Sequence, residues 1–365
     1  MTKISNIQVD HYRIPLPTVL SDATHGDQSH FAVITVRLTC DDGSEGMGYT
    51  YTVGNIGGAA TTVMIERDLA PLLMGADPSR IEQIWEQMWW RLHDVGRGGI
   101  ASFAISAVDI ALWDLRARRA DLPLWRLLGG HDPQVRAYAG GIDLMFSLDD
   151  LLAQADGFIE QGFRAIKMKV GREDIARDVE RVAAMRAKLG DGFPLLVDAN
   201  MKWNVEQAIR ASRMMAEYDI FWLEEPTIPD DIAGHVRILR EGALPIATGE
   251  NLHMLHEFEH LISAGGVSFP EPDVTNCGGI TVWMKVAHLA QAHNLPVTSH
   301  GVHDLHVHLL AAIPNDSLLE AHGFGLERWI EHPLQIVEGH ATAPERPGHG
   351  IAFDWDVLEE HRDRG

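Results

Sequence analysis

From about residue 135 onward the chain alternates between two hydrophobic patterns. Short apolar runs end in a charged or imidazole side chain, and between them apolar residues recur at three- and four-residue intervals. The first pattern is that of strands buried on both faces, the second that of amphipathic helices. The runs are Ile166-Lys167-Met168-Lys169, Leu195-Leu196-Val197-Asp198, Phe221-Trp222-Leu223-Glu224, Ile246-Ala247-Thr248-Gly249-Glu250, Pro272-Asp273, Val297-Thr298-Ser299-His300 and Leu318-Leu319-Glu320. Their last residues are 29, 26, 26, 23, 27 and 20 positions apart, about one strand plus one helix plus their loops. This rhythm predicts a parallel α/β barrel. All strands of such a barrel end at one mouth, so these side chains are expected to converge on one site.

The helices expected between the runs cover 153–161, 178–189, 205–218, 233–240, 255–264, 281–293 and 303–312. The first part of the chain reads differently. Residues 4–14 and 31–39 alternate and are rich in β-branched side chains, and Asp41-Asp42-Gly43 signals a turn, which predicts a small antiparallel sheet. Helical periodicity follows over 61–73, 81–93 and 102–119, before Gly129-Gly130. We therefore expect an α+β capping domain over 1–130 and a barrel over 131–330. Residues 331–365, broken by Pro333, Pro344 and Pro347-Gly348, are expected to return to the cap.

Composition narrows the function classes. With 45% hydrophobic residues the chain can bury a large core, and a net charge of -22, from 52 acidic and 30 basic residues, opposes binding to nucleic acid or to anionic membranes. An anionic substrate is still admissible, because a divalent cation and a few lysines reverse the local field. Two distant cysteines, Cys40 and Cys277, suggest no disulfide framework, and Met1 to Asn6 leads into no apolar signal core, so a cytoplasmic location is expected. The most apolar stretch, 100–115, is interrupted by Ser102, Ser106, Asp109 and Asp114, so no membrane span is expected.

Asp198, Glu224 and Glu250 end three successive strands and would lie side by side. Three hard carboxylates suit Mg²⁺; the alternative is that each acid caps the helix after it. Lys167 and Lys169 point to one face of their strand, the barrel interior, with Ile166, Met168 and Val170 on the other. Two adjacent ammonium groups near a metal should depress each other's pKa, as a lysine base requires. On the opposite flank, Asp273 and His300 end neighbouring strands, so the carboxylate can orient the imidazole. His303, His306 and His308 read as structural residues of the following helix.

Taken together, these residues resemble the mandelate racemase subgroup of the enolase superfamily, a superfamily in which a Lys or His base works with Mg²⁺. The resemblance rests on the pair Lys167 and Lys169, the triad Asp198, Glu224 and Glu250, the dyad Asp273 and His300, and Glu320. It extends to Ala107-Val108-Asp109-Ile110-Ala111-Leu112-Trp113-Asp114-Leu115 and Leu127-Leu128-Gly129-Gly130 in the cap. It implies a modified TIM barrel, (β/α)7β, with an α+β cap, and abstraction of the proton α to a carboxylate to give an enediolate stabilised by Mg²⁺. It further implies that Lys167 contacts the carboxylate, Lys169 is the base, and Glu320, if protonated, donates a hydrogen bond. The expected partners are a small sugar-acid substrate and further copies of the chain in a homo-oligomer.

The cap must set the overall reaction. Its segment Ser21-Asp22-Ala23-Thr24-His25-Gly26-Asp27-Gln28, with Tyr49 and Tyr51 nearby, offers many hydrogen-bonding groups and little apolar surface, which suits a polyhydroxylated acid. Asp22, His25, Tyr49, Asn200 and Lys202 are the expected substrate contacts, with Lys202 meeting a second carboxylate of an aldarate. This N-terminal stretch is similar to that of sugar-acid dehydratases acting on talarate or galactarate, and of 3,6-anhydro-galactonate cycloisomerases. Dehydration of a sugar acid is the first expectation; cycloisomerisation or epimerisation is the second.

Overall fold

The computed structural model describes residues 2–322 and 325–364. Three antiparallel strands open the chain, β1 (Ile4–Asp22), β2 (Gly26–Cys40) and β3 (Glu45–Val53), in the order β1-β2-β3. The first two run well beyond the expected limits. Pairing lapses between Pro15 and Leu20, where Pro15 and Pro17 have no N–H to donate, and then resumes with Leu20 opposite Gln28 and Asp22 opposite Gly26. The polar segment is thus the tip of a long hairpin. Gly26 has a φ of +68°, which suits glycine at this turn.

A helical run follows over Gly58–Leu73, containing a π-helical turn at Ile65–Leu69, then helices Ile81–Leu92 and Ile100–Arg119. The last packs directly on β3 because of Gly46 and Gly48. A Cβ on Gly48 would lie 2.2 Å from the Ala107 carbonyl oxygen, so any larger residue would push the helix off the sheet. The two acids within this apolar helix are fully buried joints. Asp109 accepts from the Thr281 backbone and hydroxyl, at 2.9 and 2.6 Å. Asp114 accepts from the backbone of Met47 and of His349, both at 2.9 Å.

The barrel strands are β4 (Gln134–Gly140), β5 (Ile166–Lys169), β6 (Leu195–Asp198), β7 (Ile220–Glu224), β8 (Ile246–Thr248), β9 (Phe269–Pro270) and β10 (Leu319–Ala321). Neighbours from β4 to β9 pair in parallel, and β10 returns to pair with β4. The seventh run, 297–300, forms no regular ladder. It is held by Thr298 N–H to the Pro270 carbonyl (3.0 Å), Ser317 N–H to Val297 (2.7 Å) and the Thr298 hydroxyl to Leu318 (2.6 Å). The helices lie at Leu148–Glu160, Ile175–Leu189, Val205–Met215, Ile232–Glu241, Leu255–Ala264, Ile280–Ala292 and His303–Leu310.

Alternation along each strand separates two cores. Ile166, Met168 and Val170 pack with the outer helices, whereas Leu196, Trp222, Ala247 and Tyr138 fill the barrel interior. Trp222 meets Tyr138 edge-on at 5.5 Å. The interior positions one turn of the pleat nearer the mouth are Lys169, Asp198 and Glu224, above this mainly apolar layer, in which Lys167 lies level with Leu196. After the barrel, β11 (Ile336–Val337) pairs antiparallel with β12 (His340–Thr342), which in turn pairs antiparallel with β4. Farther on, Phe353 packs edge-on against Tyr49 at 5.6 Å and Arg13 N–H donates to His361 at 2.8 Å.

Candidate functional site

The helix caps decide what the strand-end acids do. The helices after β6 and β7 are capped by Asn204 and Asp231, with Asn204 and Gln207 forming a reciprocal capping box, and the helix after β8 begins beyond Met254 with no side-chain cap. Asp198, Glu224 and Glu250 are therefore free of that duty. Their carboxylate oxygens lie within 4.8 Å of one another and all three residues are buried. Buried acids at such spacing need a cation. The set fits Mg²⁺: its donors are all hard oxygens, and Glu250 Oε2 is buried with no hydrogen-bond partner.

The two lysines flank this cluster. Lys167 Nζ pairs with Glu224, with Glu320 at 2.7 Å and with Asp198 at 3.5 Å, and Lys169 Nζ pairs with Asp198. Burial presses on both ammonium groups, yet the carboxylates outweigh it and hold both above the ordinary lysine range. The mutual depression expected for the pair is thus masked by the acids; a dication drawing on the same oxygens works in the opposite direction. Asp198, despite burial, is held down to about 2 by Lys169 and Lys167.

The donor role expected of Glu320 requires a protonated carboxyl, and here the group is an acceptor. It accepts from Gly301 N–H at 2.7 Å and pairs with Lys167. Burial alone would raise its pKa, but Lys167 and His300 pull it below the usual carboxylate range, so in this arrangement it is an ionised acceptor.

Across the mouth, His300 Nδ1 lies 3.0 Å from Asp273 Oδ2, and Nε2 faces Glu250 Oε2 at 3.4 Å. Burial pushes the imidazole down, but Glu250 and the Asp273 hydrogen bond raise it to about 10. A third residue joins them: the Tyr51 hydroxyl donates to Asp273 Oδ2 at 2.7 Å and lies 3.2 Å from His300 Nδ1. Tyr49, two residues earlier on the same face of β3, is buried against Phe353 and does not line the cavity. The two side chains share one strand face, so only the docking of the cap on the barrel distinguishes them.

The cavity over these groups has a volume of about 440 Å³. Its lining includes polar groups, among them Asp22, His25, Lys169, Asn200, Glu250 and His300, and apolar ones, among them Leu20, Phe31, Val53, Ile56, Ile100 and Phe103. The apolar lining is larger than the polar cap segment alone suggests, because it is built from β1, β2, β3 and the start of the helix at Ile100. His25 Nδ1 lies 2.9 Å from Asp22 Oδ2, and Asp22 Oδ1 accepts from the backbone of Thr24 and His25. The Asp22 hydrogen bond holds His25 above its usual pKa against burial. The Asn200 amide oxygen is buried without a partner. Lys202 is exposed and outside the cavity. His306 and His308 are helix joints, His306 bridging Gly301 and Val274, and His308 meeting the His349 carbonyl at 2.9 Å.

An acid cluster at a barrel mouth, flanked by a lysine pair and a His–Asp dyad under an α+β cap, defines an enolase-superfamily enzyme. Residues 3–129 match the mandelate racemase / muconate lactonizing enzyme N-terminal domain and residues 150–357 the enolase C-terminal domain-like family; the chain belongs to this family. It is 57% identical to the 3,6-anhydro-alpha-L-galactonate cycloisomerase of Streptomyces coelicolor, over 97% of this chain and 98% of that protein. It is 38% identical to the L-talarate/galactarate dehydratase of Salmonella typhimurium, over 93% and 86%. A solved racemase from Streptomyces coelicolor with bound magnesium superposes with a TM-score of 0.97 at 55% identity, covering 99% of this chain and 100% of that one. The Salmonella dehydratase with Mg and L-lyxarohydroxamate gives 0.94 at 35% identity, covering 99% and 93%. Mg²⁺ is thus the cofactor, with Asp198, Glu224 and Glu250 as the residues that fit it. No helix among the described residues is long and apolar enough to cross a membrane.

Proposed function

We propose that this enzyme is a cycloisomerase of an anhydro sugar acid of the 3,6-anhydro-galactonate type, acting through removal of the proton α to the carboxylate. The observation that carries this reading is the mixed polar and apolar lining of the cavity. Among the described residues its positively chargeable lining groups are Lys169 and the histidines His25, His253 and His300, with no arginine, and His25 is already paired with Asp22. A second carboxylate would be left without a strong cationic partner, which is costly in a closed site. A cyclic ether, with fewer hydroxyls, suits the apolar lining better than an open-chain aldarate.

Mg²⁺ bound by the triad supplies Lewis-acid stabilisation of negative charge on the substrate carboxylate. Lys167 adds a second positive charge there. Neutral Lys169 takes the proton from C2, the electron pair forms C2=C3, and the C3–O ring bond breaks. The departing ether oxygen takes a proton from His300 Nε2 on the opposite side. The enol then becomes a 2-keto acid as C3 accepts a proton and the C2 hydroxyl loses its own, so no atom is lost and the product is an isomer. With a free hydroxyl at C3 the same steps expel water. Dehydration, supported by the hydrogen-bonding groups of the hairpin tip, is therefore the second reading.

Incubation with 3,6-anhydro-L-galactonate and Mg²⁺ should yield a keto acid of unchanged mass. Loss of water from talarate or galactarate, with the anhydro acid untouched, would overturn this choice in favour of the dehydratase. We further propose cytoplasmic action, in keeping with the two buried free thiols.

A further inference from the structure

We propose that Tyr51, on strand β3 of the cap, is a positioning residue for the His300–Asp273 dyad, fixing which imidazole nitrogen faces the substrate. This rests on the reading of His300 as a reacting group. Asp273 is held from both sides. Its Oδ1 accepts from the Thr275 backbone and hydroxyl, both at 2.7 Å, and its Oδ2 faces the Tyr51 hydroxyl and His300 Nδ1. With Tyr51 donating to Asp273, the Tyr51 oxygen and Asp273 Oδ2 both present lone pairs to Nδ1. The proton is therefore kept on Nδ1 whether the ring is neutral or charged, and Nε2 is turned toward Glu250 on the cavity lining. Two acceptors rather than one also resist rotation of the ring, and orientation of a reacting group within a fraction of an ångström is worth large factors in rate.

The arrangement crosses the seam between cap and barrel. Tyr51 is buried and packs edge-on against Phe31 at 5.8 Å, an apolar contact that a phenylalanine at position 51 keeps. The neighbouring Thr50 hydroxyl donates to the Thr275 carbonyl at 2.7 Å, a second seam hydrogen bond that reaches Asp273 only through Thr275 and makes no direct contact with Asp273 or His300. The dyad is thus complete only when the cap is seated, and the hydroxyl at position 51 is the part of the cap that completes it.

The test compares wild type, Tyr51→Phe and, as a control for cap docking alone, Thr50→Val, each loaded with Mg²⁺. Nitrogen-15 histidine labelling reads the His300 Nδ1–H signal, identified by its loss in His300→Asn. Tyr51→Phe should shift it and speed its exchange with solvent, while Thr50→Val leaves it in place. With the anhydro acid in D₂O, Tyr51→Phe should lower kcat for ring opening roughly 10- to 100-fold, as removal of an outer partner of a ligating or reacting His does, with KM nearly unchanged and α-proton exchange retained. An unchanged Nδ1–H signal, or equal losses in Tyr51→Phe and Thr50→Val, would overturn the proposal. The imidazole signal requires no substrate, so it decides the role of Tyr51 even if the anhydro acid proves not to be turned over, an outcome that would instead refute the substrate reading.

Discussion

The Thr24 hydroxyl donates to the backbone carbonyl of Asn200, tying the tip of the cap hairpin to the loop that follows the metal-binding strand β6. Asn200 and Met201 both have positive φ, +40° and +62°, an uncommon backbone for non-glycine residues. Asn200 N–H in turn donates to Asp198 at 2.8 Å. The hairpin tip is therefore seated within two residues of a metal ligand.

This seating predicts that the tip selects substrate without carrying out the α-proton chemistry. His25→Ala and Asp22→Ala should raise KM for the preferred acid about fivefold to tenfold, the value of one hydrogen bond, and should reorder preferences across a sugar-acid panel. Exchange of the α-proton should persist. Unaltered preference in both variants would remove the tip from the specificity determinants.

Metal dependence should be complete. Exhaustive EDTA treatment should abolish turnover and added Mg²⁺ should restore it. Asp198→Asn, Glu224→Gln and Glu250→Gln should each weaken metal binding, read by calorimetry, because each removes one of three anionic oxygens. Full activity after metal removal would contradict the assignment.

Much of the site was legible because barrel strands carry their chemistry at one end: an apolar run followed by a charge marks both the strand and its mouth. Lys169, Asp198, Glu224, Asp273, His300 and Glu320 come together for this reason. What escaped depends on docking or on broken rules. Pro15 and Pro17 hid the long hairpin, since pairing resumes beyond the residues that cannot donate. Tyr49 and Tyr51 are equivalent by alternation, and only the seating of the cap picks Tyr51. The apolar lining is assembled from segments far apart in sequence. Lys202 follows two residues of left-handed backbone, which turn the chain away from the cavity.

Acid should destabilise the fold through His308. This residue is fully buried, and desolvation depresses its pKa to about 3 with the nearby His349 acting in the same direction. Its Nε2 donates to the His349 carbonyl and its Nδ1 accepts from Trp125 N–H at 3.4 Å, so the folded state holds the neutral ring. The unfolded chain takes up this proton below about pH 6.5, and the folded chain does so only near 3. Stability is therefore present above 6.5 and falls as pH drops through this window, by up to about 1.4 kcal/mol per pH unit. Urea unfolding between pH 7 and 5 should show the decline, and His308→Gln should flatten it; identical slopes would exclude His308 as a source.

Lys169 and His300 should divide the reaction between opposite faces of the substrate. They stand at the second and seventh barrel positions, with Asp198, Glu224 and Glu250 on strands between them, so a substrate bound over the metal has one on each side. The C2 proton and the oxygen on C3 then meet different groups. With Lys169 as base, His300→Asn should block ring opening yet still exchange the α-proton with D₂O, because removal and return of that proton involve Lys169 alone. Lys169→Met should do neither. Proton NMR on each purified variant, with circular dichroism establishing that both are folded, reads the two events separately. Wild-type ring opening by His300→Asn would refute the two-face division. Exchange by Lys169→Met, lost in His300→Asn, would assign the base to His300, the arrangement required if the substrate presents its C2 proton to the imidazole face.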